Sequence, residues 1–221
     1  MRSATVGGRA REVGIGHLAL RGDLTVPDNA GALIVFAHGS GSSRMSPRNR
    51  AVARAFNERG MATLLFDLLE PEEERDRANV FDIPLLAGRL IEAVQWIDRQ
   101  PELANVPVGL FGASTGAAAA LVAAAELGDR VGAVVSRGGR PDLAAGALDR
   151  VSAPTLLIVG GFDDVVIELN RQAYARLRIE RALEIVPGAT HLFPEPGALE
   201  RVIELAGDWF VTHLKPTRAK D

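Results

Sequence analysis

VPVGLFGASTGAAAALVAAAEL, residues 106–127, is the stretch that decides the fold. Its first part, 106–111, is an apolar run of strand length, and 115–127 is a small-residue segment of helix length. Between them stands Gly112-Ala113-Ser114-Thr115-Gly116, a G-x-S-x-G pattern. A strand that turns this abruptly into a helix leaves almost no room for side chains flanking the serine, so glycines on both sides meet the geometric need. With 23 glycines in the chain, the bare pattern would arise in roughly 8 of 100 chains of this composition and is weak alone. Its setting between strand and helix strengthens it. A serine so placed sits at a helix N-terminus, where unpaired N–H groups and the positive dipole end favour developing negative charge. The plainer alternative makes Ser114 an ordinary N-cap after a glycine turn.

Outward from this unit the same alternation continues. Apolar runs at 32–37, 62–67, 106–111, 131–136, 155–160 and 182–186 predict six central strands covered on both faces. Helical segments at 47–59, 83–99, 115–127, 165–178 and 196–213 lie between them. The expected fold is therefore α/β, three layers around a mostly parallel sheet. Residues 18–26 alternate with period two and predict an antiparallel strand near the start, paired with 11–15. Residues 1–214 are expected to form one domain, while the tail 215–221 lacks apolar residues to dock it and is expected to fray.

Composition removes several function classes. A net charge of −3 and an isoelectric point near 5.9 lack the basic footprint that nucleic-acid binding needs. The chain has no cysteine, which excludes disulfides, thiolate nucleophiles and Cys-based metal sites. Residues 1–16 contain no apolar signal core and no run is long enough to span a bilayer, so a cytoplasmic soluble protein without a membrane partner is the expectation. Oligomeric state is not legible.

On its element order and its G-x-S-x-G turn, the chain from Gly14 to Leu214 resembles the α/β-hydrolase superfamily, and within it the lidless dienelactone-hydrolase-like proteins. It differs from dienelactone hydrolases in the narrow sense, which use a cysteine nucleophile, because this position is Ser114. The resemblance implies a triad in the chain order Ser, Asp or Glu, His. Gly160-Gly161-Phe162-Asp163-Asp164-Val165-Val166 is similar to the family's Gly-x-x-Asp-x-x-Val turn and aligns Asp163 with the acid, with Asp164 or Asp142 as substitutes if Asp163 only caps a helix. Pro187-Gly188-Ala189-Thr190-His191 puts His191 where the family keeps its base; His17, His38 and His213 do not follow the last strand. For the oxyanion hole the amide after the nucleophile, that of Thr115, is one expected donor. The loop Ala37-His38-Gly39-Ser40-Gly41-Ser42-Ser43 resembles the family's His-Gly loop and makes Ser40 the other. A phosphate loop is the alternative for this segment, but neither a Gly-Lys-Ser/Thr ending nor G-x-G-x-x-G spacing follows it.

The implied chemistry is two-step acyl transfer on a small soluble ester, without metal or organic cofactor. Ser114 attacks, His191 serves as base, Asp163 orients the imidazole, and water releases the acyl-enzyme. Thioester hydrolysis or acyl transfer to another acceptor uses the same triad, and a noncatalytic binding module of the same fold is a further alternative. Arg44, Arg48, Arg137 and Arg140 all follow C-terminal strand ends, the edge where open α/β sheets bind ligands. They are candidates to hold a carboxylate or phosphate on the substrate. The plainer alternative makes them solvated loop residues or partners of nearby carboxylates such as Glu70, Glu72 and Asp142.

Overall fold

The computed structural model describes residues 8–144 and 146–214. The tail 215–221 lies outside them. Strands β1 (Gly8–Ile15), β2 (Leu20–Pro27) and β3 (Ala32–Ala37) are followed by helix α1 (Pro47–Glu58), β4 (Met61–Phe66), and two short helices, α2 (Pro71–Glu74) and α3 (Arg77–Val80). Then come α4 (Ile83–Asp98), β5 (Val108–Ala113), α5 (Thr115–Leu127), β6 (Val131–Arg137), β7 (Thr155–Gly160), α6 (Asp164–Arg176), β8 (Arg181–Val186) and α7 (Ala198–His213).

The eight strands form one sheet in the order β1-β2-β4-β3-β5-β6-β7-β8. β1 and β2 are an antiparallel hairpin, β2 runs antiparallel to β4, and the strands from β4 to β8 are mutually parallel. Residues of β3 point alternately to the two faces and enter two separate cores. Leu33 and Val35 pack with Leu86 and Leu90 of α4 and Ala118 and Leu121 of α5. Ile34 and Phe36 pack with Phe56 of α1 and Phe210 of α7. That is why the central strands read as continuous apolar runs: neither face meets water. β8, at the sheet edge, is partly exposed along most of its length.

β3 and β5 are neighbours at the middle of the sheet, yet the chain leaves β3 toward β4 on one side and β5 toward β6 on the other. Strand order reverses there, and the loops after these two strands diverge and open a crevice. The connection from β6 to β7 contains two short 3₁₀ turns, Pro141–Ala144 and Leu148–Arg150. No helix among the described residues is long and apolar enough to cross a membrane.

Candidate active site

Ser114 stands between β5 and α5 with φ 52° and ψ −120°. A non-glycine residue in this region carries strain on the order of 1–3 kcal/mol and persists only where its surroundings over-determine it. Here they do. The Ser114 N–H donates to the Arg137 carbonyl at 3.3 Å, and the Ser114 carbonyl accepts from the amides of Ala117 and Arg140, each at 3.1 Å. A Cβ on Gly112 would lie 2.4 Å from Ala117 Cα, and one on Gly116 would lie 2.3 Å from the Ala37 carbonyl oxygen. Both flanking glycines are therefore sterically required. The Ser114 side chain makes no capping hydrogen bond to α5, so the plainer N-cap alternative finds no support.

Asp163 occupies the N-cap position of α6 and likewise makes no side-chain cap bond. Its Oδ2 instead meets His191 Nδ1 at 2.6 Å. At that distance the imidazole proton sits on Nδ1, which leaves Nε2 as the nitrogen able to accept another. The neighbouring Asp164 is exposed and makes no hydrogen bond to the ring, and Asp142 is engaged with Arg140. The His191 loop is braced by a residue sequence reasoning missed: Glu195 accepts from the Thr190 amide at 3.1 Å and from its hydroxyl at 2.6 Å. The Thr190 hydroxyl bond is also the main reason the Glu195 carboxyl is held below its usual range. No hydrogen bond joins Ser114 Oγ to His191 among the described residues, although both line one cavity. Such bonds are often long in unliganded enzymes and tighten with substrate.

The two amides expected to form an oxyanion hole are placed differently from one another. Thr115 opens α5, so its amide has no acceptor within the helix. The Ser40 amide is not free: it donates to Thr115 Oγ1 at 3.0 Å. The Thr115 hydroxyl thus occupies the donor that sequence reasoning assigned to the hole, because β3 and β5 are adjacent and bring residues 40 and 115 together. The loop itself is pinned by His38, whose Nδ1 donates to the Gly39 carbonyl at 3.0 Å and whose Nε2 accepts from the Leu68 amide at 3.1 Å. Burial lowers the His38 pKa, in keeping with a neutral ring that accepts at one nitrogen.

Ser114 and His191 line a cavity of about 540 Å³ together with Ser40, Arg48, Asn49 and Arg137. This sorts the four arginines. Arg44 donates to Asp67 through its amide and its guanidinium, each at 2.8 Å, and Arg140 holds Asp142 by two bonds of 2.8 and 2.7 Å. Neither lines the cavity. Arg48 and Arg137 do line it, and no carboxylate pairs with either among the described residues.

A model of the dienelactone hydrolase family matches residues 20–208. A crystal structure of a dienelactone hydrolase from Anabaena variabilis is 52% identical and superposes with a TM-score of 0.90, over 95% of this chain and 99% of that one. Est1E from Butyrivibrio proteoclasticus shares the fold at 17% identity, with a TM-score of 0.78 over 94% of this chain and 99% of that one. Two Mycobacterium tuberculosis strains hold relatives 62% identical over 203 residues, 92% of this chain, which carry a provisional phosphoribosyl transferase name. The chain spans 46% of their length.

Proposed function

The chain belongs to the dienelactone hydrolase family of α/β-hydrolase-type enzymes, and from that premise we propose that it is a serine hydrolase acting on small esters through an acyl-enzyme. The observation that carries this reading is the pairing of a strained, uncapped Ser114 with an Asp163–His191 hydrogen bond of 2.6 Å at one crevice. Ser114 Oγ attacks the acyl carbon while His191 Nε2 takes its proton. Asp163 holds the ring in the Nδ1–H form and stabilises the imidazolium that results. The tetrahedral oxyanion is met by the Thr115 amide and by the Ser40 amide, which must first leave Thr115 Oγ1. His191 then returns the proton to the leaving group, and water repeats the sequence to free the acid.

The phosphoribosyl transferase name of the mycobacterial relatives concerns displacement at a sugar carbon, for which a Ser-His-Asp set has no role. That name belongs to the whole relatives, of whose length this chain spans 46%. Thioester hydrolysis or acyl transfer on the same triad is separated by product analysis with competing alcohols.

The test is labelling by a fluorophosphonate probe alongside turnover of a p-nitrophenyl ester series. Ser114→Ala abolishes labelling and lowers kcat/KM by at least about a thousandfold, with folding unchanged. Retention of more than about a tenth of kcat/KM excludes Ser114 as nucleophile.

A further inference from the structure

Arg137 is the last residue of β6 and is only 5% exposed. A buried guanidinium normally faces a carboxylate, because an unpaired buried charge is costly. This one has a neutral amide oxygen, Asn49 Oδ1, at 3.2 Å from one terminal nitrogen and the Phe193 ring 5.9 Å from its central carbon. Its Nε has no partner. The second cation at the cavity, Arg48, has a buried Nε that also lacks a partner. Burial first, and the like charge of Arg48 second, push the Arg137 pKa down to about 10, so Arg137 stays charged at neutral pH. None of the residues lining the cavity is an aspartate or glutamate.

Further donors line the wall, beside the apolar Met45, Pro47, Ala113 and Leu192. Ser46 caps α1, with Pro47 in its first turn and Arg48 next. The Arg48 amide lies in that first turn and has no acceptor within the helix. Ser43 Oγ already accepts from the Met45 amide and Ser46 Oγ from the Asn49 amide, which leaves each hydroxyl proton available to donate. Two guanidiniums, a helix N-terminus and several hydroxyls exceed what the two oxygens and single charge of a carboxylate can use. They match three oxygens and a charge between about −1.5 and −2, those of a phosphate monoester at neutral pH.

We propose that the cavity wall formed by Arg137, Arg48 and the first turn of α1 is a phosphate subsite, so that the ester cleaved at Ser114 carries a phosphate monoester elsewhere in the molecule. The proposal rests on Ser114 being the nucleophile for its link to turnover, but binding is measured without catalysis. Inorganic phosphate is titrated into the Ser114→Ala protein and followed by ³¹P line broadening and calorimetry, with acetate as the single-charge comparison. Phosphate binds at least about tenfold more tightly than acetate, and more tightly at pH 7.5 than at pH 5.5 as its second proton leaves. Arg137→Met and Arg48→Met each weaken phosphate binding about tenfold or more, while Arg140→Ala, outside the cavity, leaves it unchanged. If Arg137→Met misfolds by circular dichroism, the half-exposed Arg48 position decides. Acetate binding as tightly as phosphate overturns the proposal in favour of a carboxylate subsite. No saturable phosphate binding, or binding indifferent to Arg48→Met, overturns it outright. Loss of fluorophosphonate labelling would sink the hydrolase reading alone, and loss of phosphate binding the subsite alone.

Discussion

Among the described residues, five helices begin on a serine or aspartate at the N-cap, and they divide into two groups. At α1, α3 and α4 the side chains of Ser46, Asp76 and Asp82 accept hydrogen bonds from their own helix amides. At α5 and α6, Ser114 and Asp163 hold the same position and make no such bond. A cap contributes about 1 kcal/mol, so both sites forgo that stabilisation, and Ser114 adds backbone strain. Both lie at the C-terminal edge of the sheet, where β5 and β7 end. Side chains that cap serve the fold; these two are turned toward the crevice instead, Asp163 to His191 and Ser114 to the cavity.

The sharpest test of this division is the pair of adjacent aspartates. Asp163→Asn should lower kcat by about ten-thousandfold, because an amide stabilises the wrong imidazole tautomer. Asp164→Asn, one residue on and exposed, should change it less than about twofold. Steady-state kinetics on a p-nitrophenyl ester reads both, and a larger loss at Asp164 would move the acid by one residue. A second test concerns what replaces the cap at α5. Gly116→Ala forces a Cβ to within 2.3 Å of the Ala37 carbonyl oxygen, and should cost about 3 kcal/mol or more in chemical denaturation as the backbone shifts. A loss under about 1 kcal/mol would show that the turn is not held sterically. The smallest effect is expected at a working cap: Asp82→Ala should cost about 1 kcal/mol of stability and leave kcat/KM untouched. If it instead impairs turnover with no loss of stability, capping does not separate the two groups.

Much of this arrangement could be read from the chain. The six central strands and five long helices appear within about two residues of their expected bounds, because continuous apolar runs and helical periodicity report burial directly. The discrepancies have local causes. β5 begins at Val108 rather than at 106 and ends at Ala113 rather than at 111. Pro107 has no N–H to donate, and Ala113 is still in register with Arg137 at the mouth of the turn. Helices α2 and α3, four residues each, are too short to show a period. Their start signals, the Glu70–Glu73 capping box and the Asp76 cap, are visible only once sought.

Ser114, Asp163 and His191, the proposed triad, stand out in the sequence because each follows a strand end in a recognisable turn. The pairing of charges was not. Arg44 finds Asp67 across 23 residues and the Ser40 amide finds Thr115 across 75, distances over which periodicity carries no information. Arg140 and Asp142, two residues apart, are a pairing that chain proximity does suggest. Arg137 and Arg48 differ from Arg44 and Arg140 only in what surrounds them, and composition treats all four alike.

The hydrogen bond from the Ser114 amide to the Arg137 carbonyl sets a length standard. Ala113 and Arg137 are opposite one another in parallel strands, so the Ser114 hydroxyl and the guanidinium are mounted on adjoining rungs of one rigid ladder rather than on separate mobile loops. A ligand that touches both is gauged against a fixed interval. Homologous esters with one methylene more or less between acyl carbon and acidic group would then differ in rate through reach alone, as keys of unequal blade length differ in one lock.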